Sequence, residues 1–463
     1  MDRDQLVGEL ERVIPKEAIV SDPDLLEKYG HDETPDLYRE PLLVVRPKTT
    51  GEISSIMAFA NREGIPVVPR GGGTGLAGGA VPPEGSIVIS TERMDRIMEI
   101  DPVNMVAVVQ AGVITGKLAE AVEKEGLFYP PDPASLDACT IGGNIATGAG
   151  GANTLRFGTT KDYLLGLTTV LADGRVLRLG GKNVKDATGY KLIPLFCGSE
   201  GTLGIITEAI LRLLPLPRKR IDLLLPFPDL HLAVGCAVSI LRADIVPTAL
   251  EMMEERAISY VETYLKKKFP FPKAPVLLLI RVDGDDEKAL MEKAERISDL
   301  AEGAIDCFVA QSPSEQRRVW EARRAISDAL KSKGKLYHED IVVPRGRIPD
   351  FVPSIHELGQ NYNLEVILYG HLGDGNIHIN LIEPDPERLS LFRCDLYRRA
   401  KELGGRISGE HGIGLIKRDY LNYCLDPEVI ETMRVIKEAL DPKGILNPGK
   451  VLFFDQDKTN GRF

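Results

Sequence analysis

Apolar and polar positions fall into two regimes along the chain. Before about residue 220, short apolar runs at residues 42–45, 65–68, 86–90 and 105–110 are each bounded by glycine, proline or charge, which predicts strands. Between the first two, Ile53, Ile56, Met57 and Ala60 recur at i, i+3, i+4 and i+7 and predict a helix. Thr49 and Glu52 have capping-box spacing at its start, and Gly64 stands where a left-handed terminator belongs. A second helix is predicted near residues 115–125, ending at Gly126. Ala172-Asp173-Gly174, between apolar runs at 167–171 and 175–179, predicts a tight hairpin.

After the apolar run at 205–214, Pro215, Pro217 and the basic cluster Arg218, Lys219, Arg220 mark a domain boundary. From residue 221 strands alternate with long polar helices: strands at 223–225 and 276–282, and helices near 230–241, 254–268, 286–301 and 314–331. This predicts an α+β module with an antiparallel sheet. The helix at 314–331 carries Arg317, Arg318, Arg323 and Arg324 around Trp320, and a short strand is expected at residues 451–454. Three parts follow: residues 1–220, residues 221–405, and a C-terminal segment at 406–463.

The predicted β-α-β unit ends in PRGGGTGLAGGAVP, residues 69–82, with glycines at 71, 72, 73, 75, 78 and 79. Without Cβ atoms, successive N–H groups can turn inward as an anion-binding nest. The string also matches the dinucleotide fingerprint of a Rossmann fold, which needs a helix opening inside the motif. Pro82 and Pro83 argue against that helix, so the loop reads as a phosphate cradle outside a Rossmann site. A second small-residue stretch, IGGNIATGAGG at 141–151, suits the close approach of a large planar cofactor, and a third glycine cluster occupies 198–204.

Composition adds mainly exclusions. The 463 residues carry a net charge of −11 without a long basic run, which disfavours a nucleic-acid partner. No apolar run approaches the roughly 18 residues of a membrane span, and the amino terminus reads as an amphipathic helix rather than a signal peptide, so a cytoplasmic protein is expected. The six cysteines lack any C-x-x-C pair, against an iron–sulfur cluster, a cysteine-only zinc site or a disulfide framework.

Candidate chemistry concentrates late in the chain. His371-Leu-Gly-Asp-Gly-Asn-Ile-His378 sets two imidazoles around a glycine turn, with Asn380 on the same strand face as His378. Ser408-Gly409-Glu410-His411-Gly412 then places a carboxylate beside another imidazole. Strand neighbours point to opposite faces, so both could reach one site only from a loop, which the flanking glycines favour. His371, His378 and Glu410 can hold one divalent metal with open positions, Zn, Fe or Mn on ligand grounds, leaving His411 as a general base.

PRGGGTGLAGG, PPDPASLDACTIGGNIATGAGG, GSEGTLGIITE, HLGDGNIH, SGEHGIG and LNPGK, in this order from about residue 35 to 455, resemble the FAD-linked oxidases of the vanillyl-alcohol-oxidase, or PCMH-type, fold. More narrowly they resemble the group containing D-lactate dehydrogenase, the glycolate oxidase catalytic subunit and D-2-hydroxyglutarate dehydrogenase. The resemblance implies an α+β fold: a two-lobed FAD-binding domain, a ferredoxin-like substrate (cap) domain, and a C-terminal segment returning to the flavin. It implies that FAD is bound by Arg70, Gly71, Gly72, Gly73, Thr74, Gly75, Leu76 and Ala77, by Asp132, by Gly142, Gly143, Asn144, Gly148 and Gly151, and by Gly201, Ile206 and Asn447. By the same resemblance His371, His378 and Glu410 are metal ligands, His411 is the base, and Asn380 and Arg323 contact the substrate.

Three departures matter. Covalent members of the fold attach flavin through histidine in Arg-x-Gly-Gly-His, whereas this chain reads Arg70-Gly71-Gly72-Gly73-Thr74, so non-covalent FAD is expected. Lys191 in GYKL stands where many relatives have aspartate, and His338 in LYHED where relatives with a larger diacid substrate can carry lysine. The sequence shows no cysteine-rich iron–sulfur extension of the kind some relatives carry, so electrons are expected to leave by another route. The expected activity is oxidation of a small D-2-hydroxyacid, D-lactate or glycolate ahead of D-2-hydroxyglutarate. Electron-transferring flavoprotein, an iron–sulfur subunit, a quinone or a cytochrome would be the acceptor; homo-oligomer formation and membrane association through partners stay open. Two rival readings remain at this stage: a flavin-free metallohydrolase, and an FAD-bearing electron-relay subunit whose chemistry lies in its partners.

Overall fold

The strand Leu43–Val45, the helix Thr50–Glu63 and the strand Val67–Arg70 form the expected β-α-β unit. Its two strands are not neighbours: Ile87–Ser90 lies between them and pairs in parallel with both, while Ile19–Val20 closes the sheet antiparallel to Leu43–Val45. Thr49 Oγ1 accepts the N–H of Glu52 at 3.2 Å, and Gly64 ends the helix at φ 68°. Only half of the capping box forms, because the Glu52 carboxylate accepts from Lys48 N instead of Thr49 N. The apolar helix stripe Ile53, Ile56, Met57 and Ala60 is buried with Leu43, Val67 and Ile87 in one core.

This computed structural model describes residues 3–268 and 274–453. Two compact units emerge, one from residues 1–149, 159–216 and 410–463, the other from residues 150–158 and 217–409. Besides the four-stranded sheet, the first unit holds a five-stranded antiparallel sheet in the order Ile97–Asp101, Val106–Gln110, Ile205–Arg212, Leu164–Val170, Val176–Gly180. The Asp-Gly hairpin is present, with Val170 opposite Val176 and Gly174 at φ 88°.

One element escapes the sequence pattern. Ile141–Thr147 is helical, capped by Thr140 Oγ1 on Gly143 N and ended by Gly148 at φ 69°. Gly142 and Gly143 weaken intrinsic helix preference by about 1 kcal/mol each, so tertiary contacts decide this helix. A Cβ on Gly142 would sit 2.7 Å from that of Ala111, and that close approach explains the glycine.

The second unit is a seven-stranded sheet with every neighbouring pair antiparallel. Its order is Phe308–Ala310, Lys219–Phe227, Val276–Gly284, Ala249–Glu254, Ile367–His371, Asn376–Ile382, Leu336–Val342. The helix read as one over 314–331 is two, Pro313–Arg324 and Ile326–Lys331, meeting at Ala325. No strand forms over residues 451–453, and residue 454 of that expected strand lies outside the described residues. All six cysteines are free thiols, and among the described residues no helix is long and apolar enough to cross a membrane.

Candidate active site

In the first unit the glycine loop leaves the strand Val67–Arg70 at the sheet's edge and contains no helix, as its two prolines require. Arg70 turns back on its own unit, its guanidinium donating to the carbonyls of His31 and Lys28 at 2.5 and 2.9 Å. It therefore braces the loop from behind. Among the described residues, the main-chain N–H groups of residues 71–77 donate no hydrogen bond within the protein, whereas Gly78 N and Ala80 N are taken by Thr34 Oγ1 and Asp32 Oδ2. A run of N–H groups without acceptors, next to satisfied ones, is the donor set that a pyrophosphate needs.

Packing explains the individual glycines. A Cβ on Gly71 would collide with Thr140 Oγ1, one on Gly72 with the carbonyl of Ala138, and one on Gly201 would lie 2.5 Å from Pro69 Cγ. Gly73 sits at φ 73°. Gly71 and Gly72 thus pack against residues 138–143 at the start of the helix Ile141–Thr147, and Gly201 of the third glycine cluster packs on the Pro69 side chain just before the loop. Asn447 joins them, its amide donating to Gly79 O and Glu200 O at 3.1 and 2.7 Å. Ile206 is the second residue of the strand Ile205–Arg212, and Asp132 lies half-buried in the irregular chain before 141. Gly148 ends the helix, while Gly151 is counted with the second unit.

Three buried ionisable groups of this unit were not foreseen. The Glu200 carboxylate accepts Ile413 N and Gly414 N at 2.6 and 2.9 Å, and burial raises it to about 7. Burial likewise raises Asp32, against hydrogen bonds from Thr34 and Ala80. Lys450 is 2% exposed, its Nζ has no hydrogen-bond partner among the described residues, and burial followed by Arg39 lowers it to about 7. An orphaned buried cation in the same unit as a run of unpaired N–H groups fits a unit built to receive a negatively charged cofactor.

In the second unit His371 ends one strand and His378 lies in the next, both buried. Their rings are 5.1 Å apart and nearly perpendicular at 83°. Glu251, from the neighbouring strand, takes His371 Nδ1 at 2.7 Å and also takes Arg323 through Nε at 2.8 Å and Nη2 at 2.6 Å. Burial would raise the Glu251 carboxyl, but His371 and Arg323 outweigh it and hold it below the ordinary value. The Arg323 guanidinium lies over the Tyr369 ring at 4.8 Å, and that ring is 5.2 Å from His378. Of the arginines around Trp320, then, Arg323 is the buried one, at 7% exposure, while Arg317, Arg318 and Arg324 are exposed. Asn380 is buried and opposite His338, its amide donating to Ile367 O and His378 O and its Oδ1 without a partner among the described residues.

Asp340 tethers the chain toward the last motif, accepting Asn376 Nδ2 at 2.6 Å, Ser408 Oγ at 3.1 Å and Gly409 N at 3.0 Å. Glu410 and His411 follow directly in a loop, half-buried, as the start of the last segment of the first unit. Glu251 and Asp340 were missed; Glu251 had a signal, a carboxylate between Leu250 and Met252 in the strand ALEMME, whereas Asp340 follows the polar His338 and Glu339 in LYHEDIV and does not stand out.

Residues 216–451 match the model of the FAD linked oxidases' C-terminal domain, and residues 41–180 match an FAD binding domain. The chain belongs to the FAD-linked oxidases. It is an oxidoreductase of that family. A glycolate oxidase subunit GlcD of Bacillus subtilis is 41% identical over 93% of both chains. A D-lactate dehydrogenase of Archaeoglobus fulgidus is 42% identical over 92% of this chain and 96% of its own, and a D-2-hydroxyglutarate dehydrogenase of Stutzerimonas stutzeri 34% over 96% and 98%. The fold is that of p-cresol methylhydroxylase, with a TM-score of 0.81 at 17% identity over 97% of both chains. It is shared with a 4-ethylphenol oxidase of Gulosibacter chungangensis, with a TM-score of 0.78 at 20% identity over 98% of both. The flavin-free hydrolase reading ends here.

Proposed function

We propose that this FAD-linked oxidase is a dehydrogenase of a small D-2-hydroxyacid, D-lactate or glycolate, which it converts to the 2-oxoacid with non-covalent FAD and one divalent metal. The observation that carries the reading is the cluster of Arg323, Tyr369, His371 and His378 around buried Glu251: a guanidinium for a carboxylate beside an imidazole pair suited to a metal. Relatives at 41 and 42% identity are named for glycolate and D-lactate, and one at 34% for the alternative, D-2-hydroxyglutarate.

FAD, when bound along residues 70–77, 142–151, 201–206 and Asp132 and Asn447, supplies a hydride acceptor, and a Zn, Fe or Mn ion on His371, His378 and Glu410 supplies a Lewis acid. Arg323 binds and orients the substrate carboxylate in bidentate fashion. Asn380 contacts the substrate through its side-chain Oδ1, the atom left without a partner among the described residues, which can accept a hydrogen bond. His411 takes the hydroxyl proton on a ring nitrogen, and the substrate loses one proton and one hydride overall, which balances its conversion to the 2-oxoacid. Reading the parts residues 1–220, 221–405 and 406–463 as cofactor domain, substrate domain and closing segment belongs to this proposal. So do a cytoplasmic location and onward transfer of electrons to a protein or quinone acceptor.

The test is anaerobic mixing of the FAD-loaded chain with D-lactate, L-lactate, glycolate and D-2-hydroxyglutarate, followed at the flavin's visible absorbance. Bleaching by D-lactate or glycolate is expected. Bleaching by D-2-hydroxyglutarate alone reassigns the substrate, with His338 the first residue to examine, and no bleaching by any of them leaves an electron relay.

A further inference from the structure

Glu251 stands at an unusual place for a charge. It lies in the strand Ala249–Glu254 between Leu250 and Met252, at 0% exposure, and this strand pairs with Ile367–His371 through Met252↔Gly370 and Met253↔Tyr369. Continuing that register by one residue sets Glu251 opposite His371. From there one oxygen, Oε1, meets His371 Nδ1 at 2.7 Å, and the other, Oε2, meets the Arg323 fork at 2.6 and 2.8 Å.

An ionised carboxylate only accepts, so the nitrogen facing it carries the proton. When neutral, as a metal ligand must be, the His371 ring then has its proton on Nδ1 and its lone pair on Nε2. The same carboxylate occupies the Nε edge of Arg323 and leaves the rest of the guanidinium for an incoming anion. One buried side chain thereby sets both the ligating nitrogen of the histidine and the orientation of the arginine.

We propose that Glu251 is a positioning residue that fixes the His371 tautomer for metal binding through Nε2 and locks Arg323 to the same frame. The inference rests on the metal reading above. A purely structural ion pair would hold Arg323 equally well and would place no demand on which His371 nitrogen is protonated or on metal affinity. Glu251→Gln separates the two: its single side-chain oxygen can accept from His371 or from Arg323 but not from both, and its NH₂ opposes whichever donor is left.

Two measurements on the full, FAD-loaded chain decide it. In calorimetric titration of the metal-stripped protein with Zn²⁺, E251Q is expected to bind about 10–100-fold more weakly than wild type, the size of effect that carboxylate partners of ligating histidines produce. The flavin spectrum should be unchanged. Zn²⁺ bound by wild type and equally by E251Q overturns this proposal alone, whereas a wild-type chain that binds no divalent metal overturns the metal reading and this proposal with it. Should E251Q fail to fold, the nitrogen-15 histidine spectrum of metal-free wild type, with His371 assigned by loss of its signals in His371→Gln, still decides: a proton on Nδ1 is expected, and one on Nε2 refutes the proposal.

Discussion

The side-chain amide of Asn447 donates to the main-chain carbonyl of Glu200 at 2.7 Å, joining positions 247 residues apart in the chain. A second bond runs from the same amide to Gly79 O at 3.1 Å. The last motif of the chain thus pins the third glycine cluster to the first glycine loop. Asn447 itself sits at φ 42°, a region asparagine tolerates better than most residues.

Asn447→Ala removes both bonds and leaves one buried and one part-buried carbonyl to find other donors. A loss of about 2–4 kcal/mol is expected, from two hydrogen bonds plus the left-handed backbone penalty. Denaturant unfolding of the FAD-free chain measures it. A midpoint equal to wild type would mean the clasp contributes nothing.

Glycine substitutions should separate packing from simple flexibility. Gly72→Ala drives a methyl into the Ala138 carbonyl, so the loop must shift, with a cost of about 1–3 kcal/mol and less FAD retained per chain on gel filtration. Gly8→Ala, in the helix Arg3–Leu10 with nothing within 4 Å of its Cβ, should instead stabilise by about 1 kcal/mol. Equal effects of the two would undo the packing argument.

His411→Ala should keep its FAD yet slow bleaching by substrate by roughly 10²–10⁴-fold, the usual contribution of a positioned base. Stopped-flow absorbance gives the rate, and an unchanged rate removes His411 from the mechanism. His378→Ala should mimic exhaustive chelation of wild type, with one difference: added Zn²⁺ or Mn²⁺ restores the chelated wild type only.

Lys450 predicts a pH signature. Its value in the folded chain is depressed to about 7 by burial, so between pH 7 and its unfolded value of 10.5 the unfolded state binds more protons and stability rises with pH. The buried charge therefore costs stability fully below pH 7, and the cost fades as pH climbs toward 10.5. In FAD-free protein Lys450→Met should be more stable than wild type at pH 6, by a margin that shrinks steadily to pH 10. A margin independent of pH would contradict the depressed value.

Local pattern alone determined the β-α-β unit, its helix stop at Gly64, the Asp-Gly hairpin and the antiparallel α+β character of the second unit. At the helix stop and the hairpin the decisive interaction lies within a few residues or one helical turn, and residue type reports it directly. Six ordered motifs likewise sufficed for the family. The helix Ile141–Thr147 was out of reach because its glycines oppose helix formation, and what favours it is packing against Ala111. The family resemblance had already picked Arg323 from its neighbouring arginines, whereas only the tertiary structure brought Glu251 to His371 across 120 positions and Asn447 to Glu200 across 247. A buried carboxylate or amide is stable only where distant main chain and side chains satisfy it, and no pattern of neighbouring residues records which distant partner that will be.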